Sequence, residues 1–377
     1  MFVTHVTLAD FRSYESADVA LAPGVTVLVG SNGQGKTNFI EALEFLATLG
    51  SHRVASEAPL IRQGASRAVV RARIQAGVDD PRQLLAEIEL LPGRANKASL
   101  NRAPLRRPRD LLGSLVTVLF SPDDLDLVKG DPAGRRGFLD DLLTARWPRF
   151  AAVRADYDRV VKQRASLLKS MSGRGPRMAA DAGGTLDVWD ESVARFGAEI
   201  TVARLATLAD LVPVLGTTYS GIAPPSALAS AAYKSSVEMA DGVGVEELSE
   251  RLLEAMRARR AEEIARGLCL VGPHRDDVTL TLGDLPAKGY ASHGESWSFA
   301  LALKLASFAL LRADGTEPVL LLDDVFAELD EARRARLADV AAGADQVIIT
   351  AAVSSDVPAV LGGRRLSVAA SRIGEAA

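Results

Sequence analysis

Gly30-Ser31-Asn32-Gly33-Gln34-Gly35-Lys36-Thr37 has the GxxxxGK[ST] spacing near the N-terminus, and Asp323-Asp324 follows the apolar run Val319-Leu320-Leu321-Leu322 near the C-terminus. The first pattern suits phosphate: glycines let successive backbone N–H groups point at oxygens, the lysine reaches the β- and γ-phosphates, and the hydroxyl serves Mg²⁺. The second suits a divalent cation and the activation of water. Gly30 to Asn38 are therefore candidate nucleotide-binding residues, with Thr37 and Asp323 as candidate Mg²⁺ ligands. Asp324 is the candidate for orienting or deprotonating the attacking water. A third polar element, Ser292-His293-Gly294-Glu295, precedes an apolar helix pattern. Its Ser292 and Gly294 make a second candidate anion-binding helix end.

The elements that must position these groups can be read from periodicity. Thr26-Val27-Leu28-Val29 reads as a short buried strand, and Phe39-Ile40-Glu41-Ala42-Leu43 as the opening of a helix. This is the strand–loop–helix setting that a phosphate loop needs. Val319 to Leu322 reads as a fully buried parallel strand, and ligands bind α/β sheets at the carboxyl ends of such strands. A phosphate cradle and a carboxylate so far apart in sequence imply that the chain leaves the nucleotide domain and returns.

The regions Phe2–Leu8, Gly24–Val29, Ala68–Ile74 and Leu84–Leu90 have β character. From about Asp131 helical spacing takes over, as in Val153, Tyr157, Val160 and Val161, or Trp189, Val193, Phe196 and Ile200. Ser172 to Gly184 reads as a loop between helices. Strand-and-helix alternation resumes from about Leu268. The domains expected are a discontinuous head, 1–130 and 266–377, and a mainly helical insertion, 131–265. The insertion lacks sustained heptads, which predicts a compact arm and no long coiled coil.

The 377 residues carry a net charge of −4 and a single cysteine, Cys269. One cysteine excludes an intramolecular disulfide and fits a reducing cytoplasm; its neighbours Leu268 and Leu270 suggest a buried strand residue. Four histidines give no zinc cluster. Neither a secretory signal nor an uninterrupted apolar span of bilayer length is visible, so no membrane partner is expected. Basic residues recur in three groups: Arg102, Arg106, Arg107 and Arg109; Arg154, Arg159, Lys162, Arg164 and Lys169; and Arg257, Arg259, Arg260 and Arg266. Such groups can be solvated helix faces or contacts for phosphate backbone.

The order of motifs resembles an ABC-type ATPase head, and more closely the RecF family of bacterial recombination mediators related to Rad50 and SMC heads. The residues that carry the likeness are Leu8 to Tyr14, the phosphate loop with Asn38, Leu119 to Leu125, Val128 to Pro132, Arg135 to Asp140, Gly272 to Asp277, the Ser292 block through Ala306, and Leu321 to Asp330. The resemblance implies an α/β fold: an ABC-type P-loop head, a mixed sheet with flanking helices, carrying a helical inserted arm. It further implies ATP and Mg²⁺ as ligands and an ATP-dependent homodimer in which Ser292 and Gly294 of one copy close the nucleotide on the other. The implied partners are gapped, single- and double-stranded DNA, with RecR, RecO and, indirectly, RecA. Lys36, Ser292 and Asp324 would carry catalysis, in a clamp serving repair, replication restart and the SOS response.

Three departures modify that expectation. The turn reads Ser-His-Gly-Glu where the family more often has Ser-Gln-Gly-Gln. Asp324 stands where many ABC ATPases place a glutamate, one methylene longer, which predicts slow, DNA-stimulated hydrolysis. No switch histidine follows Val347-Ile348-Ile349, leaving Thr350 as the candidate for that polar contact. The competing readings are a transporter nucleotide-binding subunit, a small-molecule kinase, or an architectural DNA binder with structural ATP. The roles of Arg53, His274 and Arg275 stay open between nucleotide, DNA and partner.

Overall fold

A computed structural model describes residues 1–172, 183–223 and 228–375. The loop expected over Ser172 to Gly184 falls mainly outside the described residues. The chain divides into a first unit of Met1–Lys129, Val214–Ala229 and Tyr290–Ala377, and a second of Gly130–Pro213 and Ser230–Gly289. The return to the head thus comes at Tyr290, where 266 was expected, and 214–229 belongs to the first unit.

Two six-stranded sheets build the first unit. One is antiparallel, in the order β2-β1-β4-β5-β6-β7, with β1 Phe2–Phe11, β2 Tyr14–Ala20, β4 Ala68–Gln75, β5 Gln83–Leu90, β6 Lys97–Leu100 and β7 Ala103–Pro104. The other runs β15-β14-β3-β13-β12-β8, with β3 Gly24–Val29, β8 Thr117–Phe120, β12 Val319–Asp323, β13 Gln346–Ala351, β14 Arg364–Ala369 and β15 Arg372–Glu375. Its strands are parallel except β15. Helix α1, Lys36–Thr48, packs against strands of both sheets and buries Phe39, Ile40, Leu43, Phe45 and Leu46. Burial on nearly all sides explains why its apolar residues exceed one stripe. The buried Gln346 side chain joins the sheets: it accepts from Val3 N at 2.8 Å and donates to Val3 O at 2.7 Å and Ala22 O at 3.0 Å.

The second unit contains helices α3 Pro132–Arg146, α4 Phe150–Met171, most of α5 Gly183–Ser220, and α6 Val245–Arg266, and nearly all of a three-stranded sheet in the order β11-β10-β9, with β9 Ala229–Lys234, β10 Asp277–Leu282 and β11 Leu285–Pro286. (Helix α2, Leu125–Lys129, belongs to the first unit.) The apolar positions expected at helical spacing meet in one core, with Tyr157, Val160, Val193, Ile200, Leu248, Leu252 and Met256 buried together. Pro213 lies inside α5, at the residue where the units divide.

Buried charge also organises this unit. Arg164, fully buried, donates to Asp190 and Glu263 at 2.6 Å each. Arg204 donates to both oxygens of Asp140 at 2.7 and 2.8 Å and to Pro273 O at 2.9 Å. Tyr233 donates to Asp276 at 2.8 Å, and Arg135 pairs with Asp277 at 2.9 Å. These contacts explain the shifted boundary, because they fasten Pro273 to Asp277 to α3 and α5. They also locate two open residues: His274 Nδ1 lies 2.6 Å from the Tyr157 hydroxyl, and Arg275 Nε donates to Cys269 O at 2.8 Å. Cys269 is buried as expected but lies in the irregular segment after α6, outside any strand. Burial pushes its thiol up, away from the reactive thiolate.

Two helices, Gly184–Ser220 and His293–Ala313, are long and apolar enough to cross a membrane by length and composition. The second is a core helix of the first unit, with 78% of its apolar window buried. The first carries Arg204, locked to Asp140.

Candidate nucleotide-binding site

The site is assembled at the carboxyl ends of three adjacent parallel strands. β13 lies between β3 and β12, pairing Thr350 with Leu28 on one side and with Asp323 on the other. The loop after β3 begins with Gly30, whose N–H donates to Ala351 O at 3.2 Å. A Cβ at Gly30 would stand 2.2 Å from Val368 O, so only glycine lets this strand end pass β14. Gly35 adopts φ 109°, a conformation that L side chains rarely take, just before α1 begins at Lys36.

Ser31, Asn32 and Gly33 are exposed, while Lys36 is buried and extends back over the loop. Its Nζ donates to Gly30 O at 2.8 Å and Ser31 O at 3.3 Å. The loop carbonyls of Gly30 and Ser31 thus hold the ammonium in place. Asn38 has both ends of its amide occupied: Nδ2 donates to Ser13 Oγ at 2.8 Å, and Oδ1 accepts from Arg53 Nη1 at 2.9 Å. Arg53 also reaches Glu41 at 3.2 Å. Glu41 is fully buried and held by both Arg12 and Ser51. Arg53 thus belongs to the wall beside the phosphate loop.

Thr37 and Asp323 meet. Thr37 Oγ1 donates to Asp323 Oδ1 at 3.1 Å, across 286 positions of sequence. Thr350 Oγ1 donates to the same oxygen at 2.6 Å and accepts from Asp324 N at 2.9 Å. Asp323 Oδ2 accepts no hydrogen bond among the described residues. Burial, with the neighbouring Asp324, pushes the Asp323 carboxyl up, while Thr350, Thr37 and His52 hold it down. A hydroxyl and a carboxylate with one uncommitted oxygen fit Mg²⁺, which takes one or two protein oxygens and completes its octahedron with phosphates and water. No group of three or more His, Cys, Asp or Glu that could hold a metal alone is found among the described residues. Asp324 adopts φ 50°, and its side chain makes no hydrogen bond among the described residues.

Ser292 is the N-cap of helix α7, His293–Ala313, accepting from Glu295 N at 3.2 Å while Glu295 accepts from Ser292 N at 2.8 Å. This capping box occupies Glu295, whose carboxyl is lowered by those hydrogen bonds. His293 Nδ1 lies 3.3 Å from Lys129 Nζ. Gly294 O accepts from Arg333 Nη2 at 2.9 Å, and a Cβ at Gly294 would lie 3.2 Å from that nitrogen. Among the described residues no hydrogen bond joins Ser292 or Gly294 to Gly30 through Asn38. One copy of the chain brings Lys36, Thr37 and Asp323 together and leaves the Ser292 turn outside that contact.

Sequence reasoning gave Thr350 only a minor place and passed over two further elements. His52, paired with Glu44, is raised: burial opposes its protonation, but Glu44, Glu41 and Asp323 outweigh it. Lys304 of α7 pairs with the half-buried Asp124 at 3.0 Å. Gln34, already a candidate nucleotide-binding residue, also accepts from Ala370 N in the turn after β14 at 2.6 Å. The Leu119 to Leu125 block carried a signal for the Asp124 pair; the others had none in local spacing.

The basic groups separate by environment. Arg164 is an interior residue, and Arg154, Arg159, Arg259, Arg260 and Arg266 pair with carboxylates. Those pairs follow the reading of solvated helix faces balanced by acids, while Lys162, Lys169 and Arg257 of the same groups are exposed. Arg102, Arg106 and Arg107 are exposed at the β7 edge and the turn beyond it, with Arg109 half-buried beside them. Among the described residues none of these four has a carboxylate partner.

Residues 2–360 match the model of the RecF/RecN/SMC N terminal domain family. The chain is 55% identical over 385 residues to the DNA replication and repair protein RecF of Cutibacterium acnes, covering 99% of this chain and 98% of that one. It is 59% identical over 382 residues to RecF of Frankia alni, covering 99% of each. A solved structure of the recombination mediator protein RecF with ATP, from the RecFOR pathway, matches at a TM-score of 0.90 and 25% identity, over 100% of this chain and 98% of that one. An Smc head domain from Pyrococcus furiosus matches at 0.53 and 15% identity, over 100% and 96%, a likeness of fold.

Proposed function

The chain belongs to the RecF family, and from that premise we propose that it is an ATP-binding protein of DNA replication and repair acting in the RecFOR pathway. In finer terms, it is an ATP-switched dimeric clamp on gapped DNA in the cytoplasm. It works with RecR and RecO to load RecA, and supports replication restart and SOS induction. The observation that carries the nucleotide reading is the Thr37–Asp323 contact at 3.1 Å beside the buried Lys36.

In this reading Gly30 to Thr37 bind the triphosphate, and Thr37 with Asp323 holds Mg²⁺, which neutralises developing phosphate charge when bound. Asp324 orients the attacking water with a short side chain, so turnover is slow. Thr350 keeps the Asp323 carboxylate aimed and fixes the Asp324 backbone. Ser292 and Gly294 act on the nucleotide of the partner copy, so that ATP joins two heads and hydrolysis releases them. Differential affinity for the γ-phosphate between joined and separate heads is what such a switch requires. Arg102, Arg106, Arg107 and Arg109 take the DNA backbone, because unpaired guanidinium groups can exchange counterions for phosphates.

Sedimentation with and without Mg-ATP and gapped duplex tests the reading. Wild type should dimerise only when Mg-ATP is present; Ser292→Arg should bind ATP yet stay a single copy, and Lys36→Arg should lose the ATP response. A wild-type chain that stays single at saturating ligand refutes the clamp. Indifference of DNA binding to Lys36→Arg and to ATP would favour the architectural binder. Replacing Arg102, Arg106 or Arg107 by Ala should weaken DNA binding equally across sequences and flatten its salt dependence.

A further inference from the structure

The phosphate loop is held from behind by a turn at the far end of the chain. β14 and β15 are joined by two residues, Ala370 and Ser371, with φ 46° and 56°. Two consecutive left-handed residues define the type I′ hairpin, which favours Asn-Gly; alanine and serine are poor occupants. Both strained residues give their N–H groups to one residue of the phosphate loop. Ala370 N donates to Gln34 Oε1 at 2.6 Å, and Ser371 N donates to Gln34 O at 3.0 Å.

A second set of bonds closes the arrangement. Ser371 Oγ donates to Ser13 Oγ at 2.7 Å, the same oxygen that accepts from Asn38 at 2.8 Å. The buried Tyr14 hydroxyl donates to Gly35 O at 3.0 Å. A Cβ at Gly35 would meet Ser13 Oγ, Ser371 Oγ and Tyr14 OH, each at 3.2 Å. Backbone strain persists only where the surroundings over-determine it, and here those surroundings are the phosphate loop itself.

We propose that the Ala370-Ser371 turn is a positioning part of the nucleotide site: through Gln34 and Ser13 it braces the phosphate-binding backbone, so that the last hairpin and the cradle form one cooperative unit. This rests on the ATP reading above. The brace acts through Gly33 to Asn38, without itself touching phosphate. Because two bonds converge on one Ser13 oxygen, losing Ser371 Oγ and losing Ser13 Oγ are coupled events.

The test is equilibrium binding of a fluorescent ATP analogue with Mg²⁺, paired with thermal unfolding of the nucleotide-free protein. Ser371→Gly relieves the left-handed strain and removes the hydroxyl. It should weaken nucleotide binding about three- to tenfold while leaving the unfolding midpoint unchanged or higher. Ser13→Ala should weaken binding comparably, and the double variant by no more than the worse single one. Affinity within twofold of wild type in both single variants overturns the proposal, as does a loss that only tracks a lower midpoint. Lys36→Ala is the reference: if it abolishes binding while the turn variants do not weaken it, the nucleotide reading stands and the brace fails. A wild-type chain that binds no nucleotide overturns both.

Discussion

Thr350→Val tests how the candidate magnesium carboxylate is kept usable. Valine keeps the shape and β-branching suited to a buried strand and removes one hydroxyl. That hydroxyl donates to Asp323 Oδ1 at 2.6 Å and accepts from Asp324 N at 2.9 Å. A hydrogen bond to a charged acceptor contributes about 1.5–3 kcal/mol, and only Thr37, at 3.1 Å, remains on that oxygen. Burial already pushes the Asp323 carboxyl up, with Thr350 the first of the groups opposing it, so the variant's carboxyl must move further up. Magnesium needs the ionised form. Mg-ATP affinity should therefore fall by roughly ten- to a hundredfold at low pH, at about 1.4 kcal/mol per tenfold. The deficit should shrink as pH rises and the carboxyl ionises again. Binding isotherms of wild type, Thr350→Val and Thr350→Ser from pH 6 to 9 provide the measurement, with serine restoring the hydroxyl. Equal affinities at every pH, or a deficit that does not change with pH, would refute the reasoning.

Other perturbations have defined outcomes. Arg164→Ala strands the buried Asp190 and Glu263 carboxylates and should lower stability by about 3–5 kcal/mol in urea unfolding. His274, pushed down to about 4 by burial, stays neutral in the folded chain while the unfolded one protonates near pH 6.5. Its contribution is thus fully present above pH 6.5 and lost toward pH 4, up to roughly 3 kcal/mol, and a His274→Asn chain should show a correspondingly flatter pH–stability curve. Gly30→Ala sets a methyl 2.2 Å from Val368 O; β14 must shift, and both the unfolding midpoint and nucleotide affinity should fall.

Much was legible in the sequence because its signals are local. The phosphate loop, the β3 strand before it and the α1 helix after it depend on glycine geometry, buried-strand composition and helical period within twenty residues. The acidic end of β12 follows from an apolar run closing on two carboxylates, and Ser292 followed by Glu295 spells a capping box directly. Basic clusters were legible only as clusters. A guanidinium looks the same in sequence whether it faces water, as Arg106 does, or fills the interior, as Arg164 does.

The tertiary structure alone decided which groups share an oxygen or a strained turn. Strand order sets β13 between β3 and β12, and that placement turns Thr350 into the bridge between Asp323 and the Asp324 backbone. Gln34 binds a turn some 336 positions away, and Gln346 stitches two sheets through Val3. Residue types and spacing determine what chemistry the chain can offer, because those preferences act over a few neighbouring residues. Partnership between remote residues depends on how whole sheets pack, and that is settled only when the hydrophobic core closes and each buried polar atom must find a partner.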